Sequence, residues 1–147
     1  MYNIRQARPE DLNRIAEIEV FAYRLNFYPI FRSDWFYFQE FQVPNRIRIH
    51  SVNLEHIWVY NDGATKGFIQ IDGSEVKKLF VEPVLQGSGI GGKLLAFALT
   101  QGADHLWALE KNTRAIAFYQ RHGFCLTADR KPEEGTSEYL VKMVRAG

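Results

Sequence analysis

Apolar and polar positions change their period along the chain. From Tyr2 to Arg8 they alternate, with Tyr2, Ile4 and Gln6 on one side, which predicts a first strand. Pro9 suits the first turn of a helix, and Glu10 and Asp11 lie well against the positive end of its dipole. Leu12, Ile15, Ala16, Ile18 and Ala22 then recur at helical spacing. The next stretch is crowded with rings: ten of the 21 aromatics fall between Phe21 and Phe41. Trp35, Phe38 and Phe41 fit one face of a second helix starting near Ser33 and Asp34, with Phe36 and Tyr37 pointing elsewhere. Such rings build a core, and they equally suit a substrate-pocket wall or a dimer face.

From Ile57 onward the spacing is that of strands. Ile57 and Val59 on one side, and Phe68, Ile69 and Ile71 on the other, flank Asn61-Asp62-Gly63, a hairpin signal. A turn at Asp72-Gly73-Ser74 leads into a strand from Val76 to Val81 that ends at Glu82-Pro83. Lys93 to Leu99 is strongly helical, Leu106 to Leu109 reads as a strand, and Thr113 to His122 as a helix stopped by Gly123. Phe124–Thr127 and Tyr139–Val144 close the chain as two strands. The order β-α-α-β-β-β-α-β-α-β-β is that of a mixed sheet with helices on it.

Composition narrows the class. A chain of 147 residues, 46% hydrophobic and 24% charged, fits one globular domain over residues 1–147. A net charge of +1 argues for neither nucleic acid nor a membrane surface as partner. The lone Cys125 makes no internal disulfide, which suits a reducing compartment. No apolar run approaches the roughly 20 residues that span a bilayer, so a soluble, cytoplasmic protein is expected. His50, His56, His105 and His122 show no ligand spacing, and no metal is expected.

Gly87-Ser88-Gly89-Ile90-Gly91-Gly92-Lys93 is the densest chemical signal. Glycines let a backbone come close to a ligand, and a helix entrance aims N–H groups and a positive dipole at it, so a phosphate or pyrophosphate is the natural guest. The letters also fit a dinucleotide motif and the start of a P-loop. The first should follow its strand at once, yet Val84-Leu85-Gln86 intervene; the second needs Ser or Thr where Leu94 stands.

The run Leu79 to Gly91, with Gln86, Gly89 and Gly91 at its key positions, resembles the coenzyme A-binding signature of the GNAT N-acetyltransferase superfamily. Asn112-Thr113-Arg114-Ala115-Ile116-Ala117-Phe118-Tyr119 with Gly123-Phe124 resembles its second hallmark, and Ile4 to Asp11 a typical family start. The resemblance implies an α+β GNAT fold: a mixed, mostly antiparallel sheet of six to seven strands flanked by about four helices. It implies acetyl-coenzyme A as co-substrate, lying between two splayed strands. Leu79, Phe80 and Val81 would pair with its pantetheine arm through their backbone. The amides of Gly87, Ser88, Gly89, Ile90, Gly91 and Gly92, next to Gln86, would hold the pyrophosphate. Asn112 would contact the coenzyme or cap its helix, and the Val81 amide or a neighbour would polarise the thioester carbonyl.

The implied reaction is direct attack of a neutral primary amine on the thioester. Tyr119 matches the family tyrosine that protonates the leaving thiolate. Glu75 matches the catalytic glutamate of histone-modifying members, and by strand alternation shares a face with Lys77, Leu79 and Val81; a water relay is the rival base. An alkyl ammonium of pKa about 10.4 costs roughly 4.6 kcal/mol to deprotonate at pH 7, so the base matters. Members that acetylate ribosomal-protein N-termini place a glutamate where Trp107 stands here. Glu110, His50 and His56 are distant candidates, a lone His being more often a surface residue, and Cys125 reads as packing. Phe27, Tyr28, Trp35 and Tyr37 would form a pocket for an apolar or cationic acceptor, small molecule or protein. A non-catalytic acyl-coenzyme A sensor and a nucleotide-binding domain are the alternatives from other classes.

Overall fold

The computed structural model describes residues 3–145. Strand β1 (Ile4–Gln6) is shorter than the alternation predicts. Asn3, at φ 70, turns the chain out of extended geometry before it, and Tyr2 lies outside the described residues. Helix α1 (Leu12–Asn26) buries Ile15, Ala16, Ile18 and Ala22 as its spacing requires. It also buries Glu19.

The aromatic stretch departs from expectation. A helical segment does start at Asp34, as expected, but it does not continue as an α-helix. A one-turn helix α2 (Tyr28–Phe31) ends where Arg32 enters the left-handed region at φ 54, and a π-helical turn follows at Phe36–Glu40. The five-residue winding of that turn breaks the 3.6-residue phase. Tyr37 and Phe41 are therefore buried, while Trp35 (61% exposed) and Phe38 face outward. Helix α3 (Val43–Ser51) then appears where no helix was expected. Its inward face is polar, with Arg46 and His50 one turn apart, so no apolar stripe announces it.

Strands β2 (Ile57–Asn61) and β3 (Thr65–Asp72) form the expected hairpin, and β4 (Glu75–Val81) pairs with β3. Helix α4 (Ile90–Thr100), β5 (His105–Leu109), α5 (Thr113–Arg121), β6 (Phe124–Pro132) and β7 (Tyr139–Arg145) follow. The seven strands run in the order β1-β2-β3-β4-β5-β7-β6, antiparallel except between β4 and β5. Ile15 and Ile18 of α1 pack with Ile57, Val59 and Phe68 on one face; Leu94, Leu95 and Ala98 of α4 pack with Ile69, Val76 and Leu106 on the other. This is the expected mixed α+β sheet.

Candidate active site

The parallel pair β4–β5 is hydrogen-bonded only at its start, Glu75 opposite His105 and Val76 opposite Leu106. Beyond that point the strands part. The parting coincides with a bulge: Gln70 faces Lys78 and Ile71 faces Val76, so Lys77 is the extra residue on β4. A bulge bends its strand and increases its twist. Between the parted strands, the Leu85–Gly92 loop and α5 lies a cleft of about 1150 Å³. The β4 edge facing it is unpaired. The Glu82 amide donates to the Lys66 carbonyl of β3 at 2.9 Å, so by alternation Phe80 also pairs with β3 while Leu79 and Val81 turn their polar groups into the gap. The expectation that Phe80 offers its backbone to a ligand is thereby corrected.

At the cleft's far end the loop rises into α4. Gly87 and Gly89 sit at φ 88 and φ 90, which side chains rarely adopt, and a Cβ at either would meet open space. The amides of Gly87, Gly89, Ile90, Gly91 and Gly92 find no backbone acceptor among the described residues, as expected at a helix entrance. Ser88 differs from expectation: its amide (3.2 Å) and hydroxyl (2.6 Å) both donate to the Leu85 carbonyl. Gly91 and Gly92 have a second reason to be glycine. A Cβ on Gly91 would sit 3.2 Å from the Phe118 ring, and one on Gly92 would sit 2.7 Å from His122 Nε2. Their bareness lets α5 approach α4, a role for His122 that the sequence did not signal.

Asn112 caps α5, its Oδ1 accepting from the Ala115 amide at 3.2 Å. Tyr119 lines the cleft, edge-on to both Phe118 and Phe124. Burial pushes its hydroxyl up to about 12, so it stays protonated and able to donate.

The bulge also changes Glu75. Past Lys77 the alternation flips, so Glu75 shares a face with Lys78 and Phe80, the α1 side of the sheet, and not with Leu79 and Val81. Glu75, Phe27 and Tyr37 line the cleft together with Tyr23 and Lys78, whereas Tyr28 and Trp35 lie outside its lining. Tyr28 instead hydrogen-bonds Asp34 on the surface. Glu110 is tied to Arg130 at 2.8 and 2.9 Å, His56 is half-buried and outside the cleft lining, and Trp107 lines the cleft. Two other readings are corrected. Cys125 is exposed and does not pack. His50 is fully buried, its Nε2 2.8 Å from Glu19 Oε1. Glu19 also receives Arg46 (2.7 Å) and Lys78 (3.0 Å). The signal for this cluster was present in an acidic residue standing inside the apolar stripe of α1, one turn after Ile15.

The model of the acetyltransferase (GNAT) domain matches residues 53–125, from the turn before β2 to the start of β6. Residues 53–125 thus form a GNAT acetyltransferase domain. Among GNAT relatives, the peptidyl-lysine N-acetyltransferase YjaB of Salmonella typhimurium is 37% identical over 62 residues, 42% of this chain. The match spans less than half of that relative, 43%. The solution structure of apo-form YjaB from Escherichia coli superimposes with a TM-score of 0.74 at 21% identity, over 98% of this chain and 97% of that one. The PaiA N-acetyltransferase of Thermoplasma acidophilum, in complex with coenzyme A, gives a TM-score of 0.66 at 19% identity, over 95% and 96%. These structures share the GNAT fold. No helix among the described residues is long and apolar enough to cross a membrane.

Proposed function

We propose that this chain is a single-domain, cytoplasmic N-acetyltransferase that moves an acetyl group from acetyl-coenzyme A to a primary amine by direct attack. The observation that carries the reading is a free strand edge, Leu79 and Val81, leading straight to a glycine-lined helix entrance with unbonded amides. The coenzyme supplies an activated thioester. Leu79 and Val81 orient the pantetheine arm as an added strand would. One of their amides donates to the carbonyl oxygen as charge develops there. Gly87 and Gly89–Gly92 hold the pyrophosphate against the positive end of α4. Asn112 acts through its helix as a cap. Tyr119 gives its proton to the departing sulfur. Glu75, on the α1 side of β4, takes a proton from the incoming ammonium, directly or through water. The acceptor lies among Phe27, Tyr37 and Tyr23, all in the cleft wall.

The coenzyme A complex of the PaiA structure and the peptidyl-lysine specificity in the name of the YjaB relative support this reading. The test is a thiol-release assay with acetyl-coenzyme A and a panel of primary amines, including lysine-containing peptides. Amine-dependent release is expected. Tight coenzyme binding with no release for any amine would leave a sensor, and no coenzyme binding would overturn the reading.

A further inference from the structure

The Glu19 cluster touches the cleft at one point. Glu19 is fully buried and accepts from Arg46 Nε at 2.7 Å and Nη2 at 3.3 Å, with His50 Nε2 at 2.8 Å. Lys78 Nζ lies 3.0 Å from Glu19 Oε2 and donates to the Tyr23 hydroxyl at 3.1 Å. One carboxylate therefore faces two fixed cations, Arg46 and Lys78, before His50 is counted. Arg46 is roofed by the Phe41 ring, 4.7 Å from its centre, and does not line the cleft. Lys78 does line it, with 20% of its side chain exposed.

The surplus positive charge of the cluster thus has one outlet, and it opens on the acceptor side of β4. An ammonium carries three donors. Glu19 and Tyr23 take two, and no further partner appears among the described residues. Glu75 stands on the same face of β4, two ladder steps away, about 7 Å along the strand. Glu133 and Glu134 also face the cleft. These carboxylates draw an acceptor's ammonium, while Lys78 offers the complementary charge nearby.

Taking the cleft as the acyl-transfer site, we infer that Lys78 is a specificity-determining residue that pairs with a carboxylate on the acceptor, so that the preferred acceptors are primary amines that also carry a carboxylate. Tyr23 and Glu19 hold its ammonium in place, and Arg46 and His50 hold Glu19. The class comprises free amino acids and peptides with an acidic group near the reacting amine.

Matched pairs of amines test this with acetyl-coenzyme A: lysine against 1,5-diaminopentane, ornithine against 1,4-diaminobutane, and phenylalanine against phenethylamine. The carboxylated member of each pair should show a kcat/KM at least roughly tenfold higher, the scale of a charge-assisted hydrogen bond in a site built for it. Lys78→Met should collapse that ratio toward one, and Lys78→Arg should keep it. Equal or reversed preference in the unaltered protein would overturn the proposal, as would an unchanged ratio in Lys78→Met. Should Lys78→Met not fold, the ranking in the unaltered protein and in Lys78→Arg decides. Calorimetric titration of acetyl-coenzyme A separates the two readings. Binding without turnover of any carboxylated amine sinks the role of Lys78; absent binding sinks the assignment of the cleft itself.

Discussion

Tyr119 has its ring held edge-on by Phe118 and Phe124, at 5.4 and 6.1 Å between centres, so its hydroxyl direction is fixed by packing. Tyr119→Phe keeps that packing and removes only the proton. We expect kcat to fall roughly 100-fold or more, with the KM for acetyl-coenzyme A nearly unchanged, measured by thiol release. With the hydroxyl raised to about 12 by burial, the residual alkaline limb of the unaltered protein should not come from Tyr119 below pH 10. Gly89 carries a different burden, because its φ of 90 is costly for any residue with a Cβ. Gly89→Ala should lower stability by about 1–2 kcal/mol in urea unfolding and weaken coenzyme binding, because the strained loop re-aims its amides. Gly92→Ala should be milder. The atom it would strike, His122 Nε2, is the far end of an exposed side chain that can swing away.

Among the elements, α1, α3 and β4 meet at Glu19, and that junction has a pH signature. Burial alone would raise the Glu19 pKa, but His50, Lys78 and Arg46 outweigh it and hold the carboxyl at about 2, below its ordinary 4.5. A depressed acid contributes stability that is present above the unfolded pKa and lost as pH falls toward the folded one. The contribution, on the order of 3 kcal/mol, should therefore be full at pH 6 and decay between about 4.5 and 2. Glu19→Gln should cost about 3–5 kcal/mol at pH 7, because it leaves Arg46 and Lys78 without their carboxylate. The gap between the two proteins should close as pH drops through that window, as followed by urea unfolding. An unvarying gap would contradict the assignment. This junction was also the least legible part of the chain. The stripe on α1 and the hairpin at Asn61–Gly63 could be read from periodicity. Helix α3 could not, because Arg46 and His50 on its inner face are satisfied by charge pairing and not by apolar contact. Nor could the bulge at Lys77, which moves Glu75 to the opposite side of β4 from the one alternation assigns.

For the molecule as a whole, the succession of strands along the chain could be read from its changes of hydrophobic period, but not their order in the sheet, where β7 lies between β5 and β6. The glycine loop and the Asn112–Tyr119 run also lay where the fold brings them to one cleft. What the letters did not reveal is which amides are free. That depends on where β4 and β5 stop pairing, and only the sheet register shows Leu79 and Val81 open while Phe80 is tied to β3. The same register supplies the decisive experiment: residue-resolved amide hydrogen exchange with and without saturating acetyl-coenzyme A. Exchange should slow at Leu79, Val81, Gly87 and Gly89–Gly92, and stay unchanged at Phe80 and Glu82, whose amides already donate to β3. Protection confined to another surface, or none at all, would contradict a coenzyme seated between the parted strands.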